Sequence, residues 1–312
     1  MTAVRGRLQA GPDLDLDFVR FGDGGGPVVT VLGGVHGDEM EGVLAAYRVA
    51  DLLASTPLRG TVTVLPRANP PALAAGTRHG DGDANLARLF PGDPGGGLSE
   101  RIAHTIATAL IEPCDLLIDL HSAGRRYRMP PMCGFGAGRT LGGRPLLDAA
   151  RTTPFPYLWA HASVAPGRSV SHADALGKPW AYFESGGGGA LREADIDLYA
   201  QGVLRLLEVA GAVEPVSFAG PPPARQVVVT GGDGNTDTGV LFGAAGVFVS
   251  SVAAGDTVAA GQTIGAVYDD AGRRAEVVRA EASGVVMMLR HDLRVMPGEV
   301  AAIVAGEDGR AA

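Results

Sequence analysis

Apolar and polar residues alternate along the first two thirds of the chain with two different periods. Short apolar runs rich in β-branched residues predict four strands, at 28–32, 62–66, 116–120 and 180–183. Between these runs, apolar residues recur at helical spacing and predict helices over 41–53, 98–110 and 196–209. Strands that alternate with helices are typical of an α/β fold, in which helices cover both faces of a mostly parallel sheet.

The hydrophobic pattern changes near residue 214. Pro215 and three consecutive prolines at 221–223 predict a linker, and no long helical period follows them. Short valine-rich runs separated by Gly-Asp, Ala-Gly and Pro-Gly turns predict a small all-β region instead. The longest uncharged run there, 238–255, is too short for a membrane span and is interpreted as two strands and a turn. We therefore expect two domains, 1–213 and 214–312.

Composition excludes several classes of protein. Of the 312 residues, 46% are hydrophobic and 19% are charged, which is enough apolar material for a folded core. The net charge of −8 and the absence of a basic cluster argue against a nucleic-acid partner. Two cysteines cannot form a disulfide framework, and the first residues lack the apolar stretch of a secretory signal. A cytoplasmic protein without a membrane partner is expected.

The first candidate for chemistry follows the strand at 28–32. His36 and Glu39 are three residues apart, so both side chains can point toward one ion from a tight loop or first helical turn. A neutral imidazole and a carboxylate suit Zn²⁺, whose catalytic sites use about three protein ligands. By itself, this spacing is equally compatible with a histidine bonded by the backbone and a solvated glutamate.

A second candidate lies at the end of the strand at 116–120. His121 follows this hydrophobic strand directly, at the edge where open α/β sheets bind their ligands. Asp119 lies two residues earlier on the same face and could orient the imidazole. Alone, His121 could simply cap a strand end. Together, however, the two segments offer His36, Glu39 and His121 as ligands from two strand ends.

Four ordered motifs resemble one known family. They are Gly-Gly-Val-His-Gly-Asp-Glu at 33–39, Asn-Leu-Ala-Arg-Leu-Phe-Pro-Gly at 85–92, Asp-Leu-His-Ser at 119–122 and Phe-Glu-Ser-Gly-Gly at 183–187. This order resembles the succinylglutamate desuccinylase/aspartoacylase family of the zinc carboxypeptidase superfamily. The glycines after Glu184 and the Gly-Thr-Arg segment at 76–78 are most similar to its N-acetyl-diaminobutyrate deacetylase-like members. The resemblance implies a carboxypeptidase-like mixed sheet flanked by helices.

The resemblance also implies roles for matching residues. His36, Glu39 and His121 would hold one Zn²⁺ per chain, and Glu184 would be the general base that returns the proton to the leaving amine. Arg78 would polarise the scissile carbonyl. Arg88, Asn85 and Arg168 would contact the substrate, Arg88 by clamping its carboxylate. The implied reaction removes an acyl group from a small N-acylated amino acid or amine, and a homodimer is possible.

Two features depart from simple expectations. The family usually has a second asparagine before the arginine of the second motif, where this chain has Ala87, so the grip on a substrate carboxylate should differ. The segments 252–265 and 282–286 resemble the half-barrel of biotinyl and lipoyl carriers, yet residues 214–312 contain no lysine to carry such a group. The resemblance to the family implies instead that the C-terminal region shapes the substrate entrance.

Three alternatives to deacylation stay open at this point. A carboxypeptidase or an esterase could use the same residues, although an entrance-narrowing C-terminal domain argues against long peptides. A member of the fold that binds a metal or a small molecule without turnover is the third alternative, and Ala87 is the feature in its favour. Intact His36, Glu39, His121 and Glu184 argue against this last alternative.

Overall fold

The computed structural model describes residues 3–80, 84–215, 222–232, 235 and 237–307. Its α-helices are α1 Met40–Leu53, α2 Pro70–Ala75, α3 Leu98–Ile106, α4 Leu146–Ala150, α5 Ser169–Ala175 and α6 Glu193–Ala210. The strands before α6 are β1 Val4–Gly11, β2 Leu14–Phe21, β3 Val28–Gly33, β4 Thr61–Leu65, β5 Leu116–Leu120, β6 Tyr127–Arg128, β7 Met132–Gly136, β8 Thr140–Leu141, β9 Arg144–Pro145, β10 Tyr157–His161 and β11 Trp180–Glu184. The strands after α6 are β12 Val227–Thr230, β13 Val240–Leu241, β14 Gly246–Ser250, β15 Thr257–Val258, β16 Thr263–Tyr268, β17 Arg274–Arg279, β18 Gly284–Arg290, β19 Arg294–Val295 and β20 Val300–Glu307.

One large mixed sheet runs through the molecule. Its strands follow the order β1-β2-β4-β3-β5-β11-β7-β10-β12-β20-β18-β15, with β13 and β6 paired beside this path. The central strands β4, β3, β5 and β11 are parallel neighbours, whereas β7 runs antiparallel to β11. The predicted mostly parallel mixed sheet is confirmed, and the four predicted strands correspond to β3, β4, β5 and β11.

Helices bury the centre of this sheet on both faces. On one face, α1 and α6 pack against Val29, Val31 and Ile118, while α3 and α5 cover the other face beside Leu32 and Leu117. Strands buried on both sides are nearly continuous in apolar residues, which is why the sequence pattern revealed them. The three predicted helices correspond to α1, α6 and α3, the last of which continues as a π-helical turn over Ala107–Ile111.

Several strands are missing from the sequence-based prediction. The hairpin of β1 and β2 lies at the sheet edge, and β7 and β10 lie beyond β11. Strand β7 contains Gly134 and Gly136, and glycine is depleted in strands because it offers no side chain to pack. Strands β2, β7 and β10 owe their place in the sheet to pairing with β4, β11 and β12, which are distant in sequence.

The described residues after α6 form strands and turns, as predicted for an all-β region. Strands β17, β16, β14 and β19 make a separate four-stranded antiparallel sheet, and β13 and β14 are the two strands expected within 238–255. Strand β12 pairs in parallel with β10, so the main sheet continues past residue 214. The division into domains 1–213 and 214–312 stays a prediction. No helix of the described chain is long and apolar enough to cross a membrane.

Candidate active site

Three parallel strands bring the predicted site residues together. His36 and Glu39 follow β3, His121 follows β5, and Glu184 is the last residue of β11. Because β3, β5 and β11 are adjacent and parallel, their carboxyl ends meet at one edge of the sheet. Gly34 lies directly after β3 with a φ of 72°, a value that favours glycine, and starts the loop toward His36.

His36, Glu39 and His121 form a compact buried cluster. His36 Nδ1 lies 2.9 Å from Glu39 Oε1, and His121 Nδ1 lies 3.0 Å from Glu39 Oε2. One possible ligand atom from each residue lies within 4.8 Å of the other two. The exposed fractions of the three side chains are only 3%, 2% and 13%. These residues could therefore hold a metal ion in an environment that largely excludes water.

Hydrogen bonds define the protonation of His36. The backbone N–H of Ala87 donates to Asn85 Oδ1 at 3.0 Å, which identifies this atom of Asn85 as the oxygen. The same oxygen lies 3.1 Å from His36 Nε2, so Nε2 carries the ring proton. His36 Nδ1 is buried and has no hydrogen-bond partner among the described residues. Its lone pair faces the Glu39 carboxylate, an arrangement that a cation between them would stabilise.

Neighbouring groups orient His121 in a similar way. His121 Nε2 lies 3.2 Å from Asp119 Oδ2, and Ser169 Oγ donates to the same carboxylate oxygen. The Tyr199 hydroxyl donates to the His121 carbonyl oxygen at 2.6 Å, and the Ser122 N–H donates to Glu39 Oε2 at 3.1 Å. With Nε2 directed at Asp119, His121 presents Nδ1 to the cluster. A carboxylate that orients a ligating imidazole is typical of zinc sites.

The pKa values within the cluster reflect burial and close charges. Burial, together with the Arg78 charge, lowers the pKa of His36 to about 4. Burial alone would raise the pKa of Glu39, but His36 and His121 hold it well below its usual range. Burial opposes the charged form of His121, yet Asp119 and Glu39 raise its pKa well above the usual value. A bound cation would replace the proton that His121 otherwise keeps.

Glu184 and Arg78 stand beside this cluster. Burial and the nearby Glu39 carboxylate raise the pKa of Glu184 to about 8. Its Oε2 is buried without a hydrogen-bond partner in the described part of the chain. Arg78 Nη1 donates to Glu39 Oε1 at 2.6 Å, and one third of the Arg78 side chain remains exposed. A buried carboxyl and a guanidinium thus face the same small space as the potential metal ligands.

A small cavity of about 60 Å³, the inner cavity, adjoins His36 and His121. Glu184 and Arg78 line this cavity and also a larger groove of about 650 Å³, the outer groove, whose lining includes the exposed residues Arg125 and Arg126. The inner cavity combines three aliphatic side chains with two further guanidinium groups. Its remaining lining residues include Ala87, Arg88, Val164, Arg168, Val170 and Tyr182.

The predicted substrate residues occupy different positions around this space. Arg88 Nη2 and Nε donate to Asp237 Oδ2 at 2.7 and 3.1 Å, and Arg168 Nη2 lies 3.4 Å from Asn235 Oδ1. Both arginines therefore line the cavity and contact residues that follow α6. Asn85 lines the outer groove while bonding His36. Direct contact of these three residues with a substrate stays a prediction.

Sequence reasoning missed one residue that lines the inner cavity and two residues that contact its lining. Tyr182 lies two residues before Glu184, hence on the same face of β11, and this period of two could have indicated it. His161 seemed to lack a partner, but its Nε2 lies 2.8 Å from the Tyr182 hydroxyl. Asp237 lies 149 residues beyond Arg88, and no local pattern indicates their contact.

Comparison with known proteins agrees with this site. The succinylglutamate desuccinylase/aspartoacylase catalytic domain matches residues 25–210. The N-alpha-acetyl-L-2,4-diaminobutyric acid deacetylase of Halomonas elongata is 32% identical over 290 residues, which span 90% of this chain and 83% of that protein. These matches cover all four motifs identified in the sequence.

Solved structures share the fold. The product-bound ectoine utilization protein EutE (DoeB) of Ruegeria pomeroyi has a TM-score of 0.84 at 24% identity, covering 97% of this chain and 95% of that one. A succinylglutamate desuccinylase/aspartoacylase from Rhodobacter sphaeroides has a TM-score of 0.82 at 24% identity, covering 98% and 95%. The chain therefore belongs to the succinylglutamate desuccinylase/aspartoacylase family, and the predicted enzyme class, a deacylase that cleaves amide bonds, is confirmed.

Proposed function

We propose that this protein is a zinc-dependent deacylase that releases a short acyl group from a small N-acylated amino acid. His36, Glu39 and His121 would hold one Zn²⁺ per chain. The observation that carries this proposal is the buried cluster of two imidazoles and one carboxylate, with Nδ1 of His36 and Nδ1 of His121 at 2.9 and 3.0 Å from the oxygens of Glu39. Two nitrogen ligands and one carboxylate suit a catalytic zinc site, which keeps a further position open.

The chain's own residues would divide the remaining tasks. When bound, zinc lowers the pKa of a coordinated water toward ~7 and polarises a carbonyl oxygen. Glu184 would accept the proton of the attacking water and deliver it to the leaving nitrogen. In the metal-free protein, burial and the Glu39 carboxylate raise the pKa of Glu184 to about 8, and a nearby bound cation would lower this pKa and favour the carboxylate form that accepts the proton. Arg78 would donate hydrogen bonds to the oxygen on which negative charge develops.

Arg88 and Arg168 support an anionic substrate. Both guanidinium groups line the inner cavity, and a guanidinium binds a carboxylate with two parallel hydrogen bonds. A substrate carboxylate would have to compete with Asp237 for Arg88. The related Halomonas elongata protein is named for an acetylated diamino acid, so an N-acetyl amino acid is the first substrate to test.

Peptide cleavage stays an alternative, because the outer groove of about 650 Å³ has room for a chain that extends away from Glu184 and Arg78. An esterase would use the same groups, and a protein without turnover would still bind the metal. These three alternatives are distinct outcomes of the experiment below.

The experiment combines metal analysis with product release. Purified protein is expected to contain about one zinc per chain and to release acetate or succinate from a subset of N-acyl amino acids and N-acyl diamines. Glu184→Gln should retain zinc but lose ~10²–10⁴-fold in kcat, because the amide cannot accept the proton. Glu208→Gln, a half-buried glutamate on α6, is the matched control.

Each other result has its own meaning. Cleavage of peptide C-termini or of acyl esters alone would replace the deacylase proposal with one of the alternatives. Zinc without any turnover would indicate a binding protein. Protein that takes up no metal after reconstitution with zinc would contradict the assignment of His36, Glu39 and His121 as ligands.

Cellular location and assembly remain predictions. We expect a cytoplasmic enzyme without nucleic-acid or membrane partners, and the negative net charge of −8 supports the first of these exclusions. We also expect a homodimer. Light scattering coupled to size-exclusion chromatography would distinguish a dimer from a monomer of 31.8 kDa.

A further inference from the structure

Ser122, the residue after His121, directs both of its donors at buried carboxylates. Its backbone N–H donates to Glu39 Oε2 at 3.1 Å, and its hydroxyl donates to Glu41 Oε2 at 2.9 Å. Only 2% of Ser122 and 4% of Glu41 are exposed to solvent. Because water has little access to these groups, each of the two hydrogen bonds is costly to lose.

The surroundings of Ser122 define the direction of its hydroxyl group. The Gly124 N–H lies 3.4 Å from Ser122 Oγ and can only donate, so the hydroxyl proton is left for Glu41. On the other side of Ser122, the His121 N–H donates to the Phe183 carbonyl oxygen at 2.9 Å. The backbone that follows β5 is therefore held on both sides of Ser122.

A close approach of helix α1 to strand β5 brings Glu41 to Ser122. Gly42 lies in the first turn of α1, and a Cβ atom on it would lie 2.3 Å from the carbonyl oxygen of Leu120, the last residue of β5. Only glycine lets the helix come this near to the strand end. Glu41 precedes Gly42, and the helix dipole favours an acidic residue in the first turn. The sequence thus places a buried carboxylate against the residue that follows His121.

The two carboxylates of this segment have different surroundings. The cluster of possible ligand atoms comprises His36, Glu39 and His121 and leaves Glu41 out. Glu39 Oε2 lies 3.0 Å from His121 Nδ1, and the same oxygen accepts the Ser122 N–H. Because one oxygen carries both contacts, a shift of the Ser122 backbone would move Glu39 relative to His121. Glu41 can therefore act on the cluster through Ser122.

We propose that Ser122 and Glu41 are positioning residues of the metal site. The Ser122 N–H holds Glu39 Oε2 in place for the ion, and the Glu41 carboxylate holds Ser122 through its hydroxyl group. Outer hydrogen bonds of this kind orient a ligand and typically change metal affinity by ~10–100-fold. The inference rests on the proposed zinc-dependent function and adds two residues that determine how tightly the metal is bound.

The first test measures zinc affinity and does not depend on turnover. Ser122→Ala keeps the backbone N–H but loses the bond to Glu41, so the Kd for Zn²⁺, measured by competition with a chelating dye, should rise by ~10-fold. Thr153→Ala is the matched control, because it removes a similarly buried hydroxyl, which donates to the Ala150 carbonyl oxygen at 2.6 Å. The control should bind zinc as the wild type does. Melting temperatures of the metal-free variants report any loss of stability.

Two substitutions of Glu41 distinguish a hydrogen bond from a charge. Glu41→Gln retains a side-chain oxygen that can accept from Ser122, so its zinc affinity should stay close to that of the wild type. Glu41→Leu removes the acceptor and should weaken zinc binding at least as much as Ser122→Ala does. The double variant Ser122→Ala/Glu41→Leu should bind zinc no more weakly than Glu41→Leu alone, because both changes break the same contact. If Ser122→Ala does not fold, the two Glu41 variants provide the same comparison.

Cobalt provides a readout of ligand geometry. Co²⁺ binds to nitrogen and oxygen ligands of the kind that suit zinc, and its visible absorption depends on how these ligands are arranged. Ser122→Ala and Glu41→Leu should change the spectrum of the Co²⁺-loaded protein, because Glu39 is no longer held in place. Glu41→Gln and Thr153→Ala should leave the spectrum unchanged.

Several outcomes would overturn the inference. Wild-type zinc affinity in both Ser122→Ala and Glu41→Leu would refute it while leaving the proposed function standing. A loss of affinity in Glu41→Gln as large as that in Glu41→Leu would mean that the charge acts rather than the hydrogen bond. Weaker zinc binding with an unchanged cobalt spectrum and a lower melting temperature would indicate a merely structural role. A wild-type protein that binds no zinc would instead refute the proposed function.

Discussion

Two sets of side chains, each with acidic and basic members, lie beside the cavity, and the two sets differ in burial. The cluster of His36, Glu39 and His121 has side chains that are 13% exposed or less, whereas Arg88 and Asp237 at the rim are 26% and 65% exposed. In the cluster, pKa values move far from their usual range, because few water molecules screen the charges. At the rim, the ion pair of Arg88 and Asp237 is open to solvent, so another group can replace one of its partners at little cost in stability.

This difference separates what the two groups can do. Buried ligand atoms that face one another favour a cation between them, so the cluster is suited to hold a metal ion. The rim pair contributes little to stability, so a substrate carboxylate can take the place of Asp237 on Arg88. The following predictions test this contrast, beginning with the largest effect.

Loss of a cluster ligand should abolish metal binding and activity together. His36→Ala leaves two ligands and an uncompensated buried carboxylate, so kcat/KM should fall by at least ~10³-fold. Zinc content by mass spectrometry and initial rates provide the measurement. His104→Ala, a half-buried histidine on α3, should retain both, and an active His36→Ala enzyme would contradict the ligand assignment.

Arg78 belongs to neither group, because it contacts Glu39 of the buried cluster while one third of its own side chain is exposed. Arg78→Ala should lower kcat by ~10²–10³-fold while zinc remains bound, because one donor to the developing negative charge is lost. Steady-state kinetics on an N-acetyl amino acid show whether the loss of activity lies in kcat or in KM. Arg48→Ala, a surface arginine of similar exposure paired with Glu193, serves as the control; a change confined to KM would assign Arg78 to binding alone.

Stability of the metal-free protein should fall as pH rises from about 7 to 8.5. In this range the folded protein keeps a proton on Glu184, whose pKa is about 8, while the unfolded chain has already lost it. The free energy of unfolding therefore decreases with pH, and His121, with its raised pKa, acts in the same direction. Melting temperatures in a chelator should decline by several degrees in the wild type.

Glu184→Gln isolates this contribution. The melting temperature of the variant should decline less across the same pH range, because its amide does not titrate. Adding zinc to the wild type should also reduce the decline, since a nearby cation favours the carboxylate form. Identical pH profiles for the wild type and the variant would show that Glu184 is not protonated in the folded state.

The smallest effect is expected at the rim. Asp237→Asn removes the competitor for Arg88, so KM for an anionic substrate should fall by ~2–5-fold with little change in kcat or in melting temperature. Raising the salt concentration should narrow the difference in KM between the variant and the wild type. Asp270→Asn removes a more exposed ion pair with Arg294 away from the site and should change neither KM nor the melting temperature. A large loss of stability in Asp237→Asn would mean that the pair is structural.

Local pattern predicted the central part of the molecule and the residues at its strand ends. The strands β3, β4, β5 and β11 are apolar because both of their faces are buried, and that property is visible in a short window of sequence. His36, Glu39 and His121 follow two of these strands, so motif spacing was enough to group them, and the family resemblance added Glu184 at the end of β11.

The sequence by itself thus determined the α/β class, the family and four of the side chains around the proposed metal site. Only the tertiary structure decided that Tyr182 lies over Gly134 and bonds His161, because this contact joins three strands whose order no local pattern encodes. The same holds for Asp237, which reaches Arg88 from a region that follows α6. Strand-end motifs are local, whereas the shape and polarity of the cavity depend on residues that are far apart in the chain.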